Sequence, residues 1–326
     1  MIVPNFWAEA KARHRSPRRQ VTVRRYGWSM TDENDAREMA EERAAEALER
    51  ILAGDTIPKA ELKRAYNGSD GVPIREEVLS RHGEEVITRN VYGAHCLNSP
   101  RALFADLDFG SRVSFRAALI VFAILAAPSI ALGIATKTSG GAIALLFFSF
   151  LFSYPIALGL TKLAVVSRGG VEKIAYRRIL RFVAGHPDWS LRLYRTPAGY
   201  RLLATHRTFD ADDPEVGEFF AAVKADPIYV RMCLNQNCFR ARLTGKPWRM
   251  GIKEHMRPRP GVWPVRPERL ALRNAWIAAY EARVRSFAAC RFVEALGSGM
   301  VHSALRSVVE LHDRESHALR TDLPLA

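Results

Sequence analysis

Two uncharged apolar runs occupy the middle of the chain, Ala117–Thr136 and Thr138–Thr161, 20 and 24 residues long and separated only by Lys137. An α-helix rises about 1.5 Å per residue, so each run reaches across the roughly 30 Å hydrocarbon layer of a bilayer. Neither run has the polar face that a long core helix of a soluble protein carries. The pattern predicts a transmembrane helical hairpin over 113–168, turning at Lys137–Gly141, with Pro128 and Pro155 as tolerated kinks. Arg112 and Arg116 precede the first run, and Lys162, Arg168, Lys173, Arg177, Arg178 and Arg181 follow the second. The excess of Lys and Arg at both outer ends predicts that both termini face the cytoplasm, at the inner (plasma) membrane of a bacterium. Met1–Arg19 has basic residues but no apolar h-region, so no signal peptide is expected.

The flanking segments alternate between strand and helix patterns. Before the hairpin, Gln20–Gly27 reads as a strand, Glu33–Leu52 as a helix capped within Thr31–Asp35, and Asn67–Pro73 as a loop. Glu85–Asn90 and Ala102–Asp108 are further strands. After it come a basic helix at Val171–Val183, a β-hairpin at Leu191–Tyr194 and Tyr200–Thr205, and a helix at Pro214–Val223. Tyr229–Met232 and Phe239–Leu243 read as strands, and Glu268–Ala318 as helical with a break at Gly297–Gly299. Each half alone supplies too few strands for a covered sheet. The expected architecture is therefore an α+β cytoplasmic domain assembled from 1–112 and 169–255, with the transmembrane hairpin inserted. A Pro-rich linker and helical C-terminal segment follow over 256–326.

Lys and Arg number 48 against 34 Asp and Glu, a net charge of +14. That balance favours anionic partners, and the anionic lipids of the inner leaflet account for it without nucleic acid. The four cysteines read as buried thiols of a reducing compartment, because Cys233 and Cys238 have no second pair at zinc-site spacing. Arg240, Arg242, Lys246 and Arg249 interleave with Phe239 and Trp248. Such a stretch is either the solvated face of an edge strand or a stacking surface for nucleotides or single-stranded nucleic acid. His312-Asp313 reads as helix surface, and Phe287, Cys290, Phe292 and Val293 as an apolar helix stripe.

Asp106 and Asp108 stand two apart on a predicted strand, so both carboxylates share one face near its C-terminal end. Pairs of this kind hold Mg²⁺ or Mn²⁺ in phosphoryl and nucleotidyl transfer; the alternative is a polar strand end before Gly110. The run Leu103-Phe-Ala-Asp-Leu-Asp108 resembles the first motif of the archaeo-eukaryotic primase superfamily. Leu193–Leu203 resembles its second motif, a strand–turn–strand that opens its second strand with histidine; here that position is Arg201, and His206 lies five residues on. The chain as a whole is similar to a family of bacterial two-span membrane proteins. The primase resemblance implies a metal at Asp106 and Asp108 and phosphate contacts from Arg195 and Arg201, whose guanidinium groups suit bidentate anion binding. No catalytic residue is assigned.

Two functions stand open on the sequence. One is a non-catalytic membrane protein whose basic domain binds a partner or scaffolds other proteins. The other is a membrane-tethered primase-like enzyme acting on nucleotides or nucleic acid with a divalent metal.

Overall fold

A computed structural model describes residues 3–61, 73–110, 115–137, 139–259 and 263–326. The expected loop at Asn67–Val72, Arg112 and Thr138 lie outside the described residues. The fold is mixed α+β and divides into two compact units. One is Met1–Leu107 together with Val183–Ala326, and the other is Asp108–Phe182.

The second unit is dominated by two antiparallel helices, α2 (Phe115–Thr136) and α3 (Ser139–Ser167), which turn at Lys137 in a left-handed conformation. Both are long and apolar enough to cross a membrane, and only 11% and 17% of their most apolar windows are buried. A soluble core helix would hide that surface; these present Ile124, Ile134, Phe147, Phe150 and Leu163 outward. Ser149 Oγ donates to the Leu125 carbonyl at 3.1 Å, a polar tie between the helices. The basic helix α4 (Gly170–Gly185) follows.

In the first unit, β1 (Phe6–Arg15) and β2 (Gln20–Ser29) form a ten-residue antiparallel ribbon with Lys11 opposite Arg24 and Ala8 opposite Gly27. Helix α1 (Glu33–Ala53) covers it. Asp32 caps α1 by accepting from the Asn34 and Asp35 amides, and Gly54 closes it in the left-handed conformation. Its buried face is a stripe of small residues, Ala36, Ala40, Ala44 and Ala47, which lets the backbones approach closely at Gly27. Strand β1 was not legible beforehand because its inward positions are alanines between charges, a weak period-two signal.

Two four-stranded sheets complete this unit. One has the order β3 (Glu77–His82), β4 (Glu85–Arg89), β5 (His95–Ser99), β9 (Phe239–Arg242). The other runs β10 (Arg291–Gly297), β7 (Ser190–Arg195), β8 (Gly199–Ala204), β6 (Phe104–Asp108). Strands from both sides of the hairpin thus meet within each sheet. Helix α5 occupies Pro214–Val223 and α6 occupies Pro227–Gln236.

The expected strand at Tyr229–Met232 is helical instead. Asp226 caps α6 by accepting from the Ile228 amide, and Pro227 fixes the first turn. The C-terminal segment is not helical throughout. Helices α7 (Leu270–Val284) and α8 (Arg306–Glu315) flank β10, which pairs antiparallel with β7. Edge pairing with β7 overrides the helical spacing of Phe287–Val293.

Candidate functional site

The β10–β7–β8–β6 sheet sets the site by register. Phe292 lies opposite Tyr194, and Tyr194 opposite Arg201, so one face carries these side chains in a row. Beside Arg201 on the next strand is Asp106. The pair is bidentate: Arg201 Nε donates to Asp106 Oδ1 at 2.7 Å and Nη2 to Oδ2 at 3.1 Å. Arg201 Nη1 donates to the Arg242 carbonyl at 2.8 Å, tying this sheet to β9 of the other. Arg201 is 1% exposed, while the Asp106 side chain keeps 31% of its surface. Burial opposes the charge on Arg201, but Asp106 outweighs it and raises the guanidinium pKa further.

Helix α8 covers that row with His312 and Asp313, both buried. His312 Nε2 stands 3.4 Å from Arg201 Nη1 and 3.8 Å from Cys290 Sγ, and its Nδ1 lies 3.1 Å from Asp313 Oδ1. Tyr194 donates to Asp313 Oδ1 at 2.7 Å and Arg192 to Oδ2 at 2.6 Å. Cys290 also donates to Ser316 Oγ at 3.5 Å. Cys290, His312 and Asp313 stand in the order of a nucleophile, a base and its orienting carboxylate. Burial disfavours the Cys290 thiolate, yet His312 and Arg201 together hold the thiol below its ordinary value. Burial likewise opposes a charged His312, but Cys290 and Asp313 raise it. Both side chains are sealed at 0% exposure, so in this state the triad is closed to substrate and acts as a buried polar network.

Sequence reading missed this cluster. His312-Asp313 is buried rather than surface, and Cys290 was hidden within a stretch that reads as helix. The signal available was His-Asp next to the buried stripe Val308, Val309 and Leu311.

The sequence-predicted residues fall as follows. Asp106 and Arg201 meet; Asp108 ends β6 and is exposed. Arg195 Nη1 donates to the Thr196 and Gly199 carbonyls, closing the β7–β8 turn. His206 sits apart: its ring is 4.6 Å from Trp189, its Nδ1 accepts from the Ser190 amide, and burial lowers its pKa. Among the described residues no three His, Cys, Asp or Glu side chains gather as a metal site. Both Asp106 oxygens accept from Arg201, so this carboxylate is part of an internal ion pair and keeps 31% of its side-chain surface. Arg240 is turned inward to Glu76 at 2.6 Å, and Arg242 donates to the Thr244 carbonyl, so neither forms a solvated strand face. Cys233 and Cys238 are buried free thiols, each pushed up to about 12 chiefly by burial.

Asp313 gives the network a pH signature. Burial would raise its carboxyl pKa, but His312, Tyr194 and Arg192 together hold it below the ordinary value of 3.8. A depressed carboxyl stabilises the fold above its unfolded value, and that stability is lost as pH falls through the folded value. The raised His312 contributes below its ordinary 6.5 and loses that contribution as pH rises through its folded value. Asp313→Asn is therefore expected to cost about 2 kcal/mol, the worth of charge-assisted hydrogen bonds. The deficit is widest at weakly acid pH and narrows on either side. Thermal midpoints of both proteins across pH measure it; a pH-independent deficit contradicts the charged network.

No protein-family model, curated protein or solved structure matches the chain.

Proposed function

We propose that the chain is an integral protein of a bacterial inner membrane, held by the α2–α3 hairpin with both soluble parts in the cytoplasm. Its basic α+β domain binds a partner and does not carry out metal-dependent transfer. The observation that favours this reading over metal-dependent transfer is the Asp106–Arg201 pair: a buried guanidinium donates to both oxygens of the best metal-ligand candidate. Support for the membrane comes from the outward apolar surface of both helices and from cations at Arg116, Lys162, Arg168 and Lys173 against Lys137 alone at the turn. The same outer cations favour anionic inner-leaflet lipids.

The second reading is the primase-like enzyme with Mg²⁺ or Mn²⁺. The partial exposure of Asp106 and the exposed Asp108 favour it, but a cation would have to share the Asp106 carboxylate with Arg201. The test of the first reading is membrane retention. The full chain is expected to stay in the pellet through a high-pH carbonate wash, and both termini are expected to be cleaved by protease only in inside-out vesicles. Release by carbonate, or protection of the termini in those vesicles, contradicts it.

A further inference from the structure

The binding reading leaves open what is bound, and a second, open site bears on that. A cavity of about 510 Å³ is lined by Tyr92, Trp248, Ile252 and Met256, with Lys253, His255 and Arg259 around it. That volume lies within the ordinary range for small-molecule sites. Tyr92 and Trp248 meet edge to face at 5.4 Å, and Trp248 is half exposed, an unusual position for the largest apolar ring. Lys246 Nζ lies 5.4 Å from the Trp248 ring centroid.

The cavity wall is anchored. Trp276 Nε1 donates to the Glu254 carbonyl at 3.0 Å, and Ile252 N to the Pro247 carbonyl at 3.0 Å. Gly93 has φ +94, and a Cβ there would meet the Trp276 ring at 2.3 Å, so this close packing requires glycine. Met256 is 2% exposed and Met250 1%, giving the loop its own buried footing.

A half-exposed indole beside several cations and a single acidic lining residue, Glu254, suits a ligand that is planar at one end and anionic at the other. We propose that this cavity binds a mononucleotide, its base stacked on Trp248 and its phosphates held by Lys253 and Arg259. The inference rests on the binding reading above and adds its ligand. Stacking supplies the base contact without sequence-specific hydrogen bonds.

The experiment titrates ATP, without metal, into detergent-purified full chain and follows binding by calorimetry and tryptophan fluorescence. Saturable binding is expected, weakened roughly tenfold or more by Trp248→Ala, in line with the loss of one base–aromatic stack. Trp248→Phe keeps a stacking ring and is expected to retain most of the affinity. Lys253→Glu/Arg259→Glu is expected to abolish binding, and tripolyphosphate to compete poorly because it has no base.

Absence of ATP binding in folded wild-type protein overturns the ligand assignment, while carbonate retention separately reports on the membrane reading. Equal competition by tripolyphosphate, or tighter binding of a single-stranded oligonucleotide than of ATP, also overturns it. Binding lost in folded Asp106→Asn but kept in Trp248→Ala moves the nucleotide to Asp106 and overturns both this site and the closed-pair reading.

Discussion

Replacing Asp106 with asparagine is expected to destabilise the domain by about 3–5 kcal/mol, the cost of removing one partner from a buried ion pair. The loss comes from the other side of the pair. Arg201 is 1% exposed, and without the carboxylate its charge stays buried with the Arg242 carbonyl still accepting from Nη1. For a domain of this size, that loss lowers the unfolding midpoint by roughly 6–20 °C. Arg201→Met is expected to cost less, because the Asp106 side chain keeps 31% of its surface and water can solvate it once the guanidinium is gone. The double variant is then expected to recover part of the Asp106→Asn loss. A carboxylate held ready for metal behaves in the opposite way, since its removal relieves repulsion and leaves the metal-free fold as stable or more so.

Gly27→Ala is the second large expected effect. A Cβ at this position would lie 2.1 Å from the Ala36 carbonyl oxygen, 2.3 Å from the Ala40 amide nitrogen and 2.9 Å from the Ala40 Cα. These are backbone atoms of α1, so no rotamer change relieves the contact. The helix must lift off the ribbon, opening the seam along Ala36, Ala40 and Ala44, which are 0%, 0% and 1% exposed. The expected cost is about 3 kcal/mol, the upper end for overpacking a well-packed contact. Hydrogen exchange is expected to speed up in α1 and β2 together and to leave the Tyr194–His312 region unchanged. Unchanged exchange in α1 contradicts the close approach.

Much of the secondary structure could be read locally, and the reasons are specific. Pro214 at a first turn, the capping side chain of Asp32 and the Thr196–Gly199 turn are signals written in neighbouring residues, and the elements fall where they indicate. The two apolar helices were plain for the same reason. Long-range pairing was not legible. Strand β10 exists because β7 offers an edge, and Arg291–Gly297 carries no strong alternation of its own. Of the candidate site, Asp106 and Arg201 were each legible as candidate residues, but their pairing was not. The resemblance implies a phosphate contact for Arg201; in the structure each of its three nitrogens donates inside the protein. Cys290, 22 residues before His312, had no local pattern linking the two.

The most direct measurement is thermal unfolding of the detergent-purified wild type, Asp106→Asn, Arg201→Met and the double variant, each with and without Mn²⁺. The expected result is a large loss in Asp106→Asn, partial recovery in the double variant, and no Mn²⁺-dependent shift in any of the four. A midpoint for Asp106→Asn at or above the wild type, together with a Mn²⁺-dependent rise in the wild type that Asp106→Asn abolishes, contradicts the closed ion pair and makes Asp106 a metal ligand.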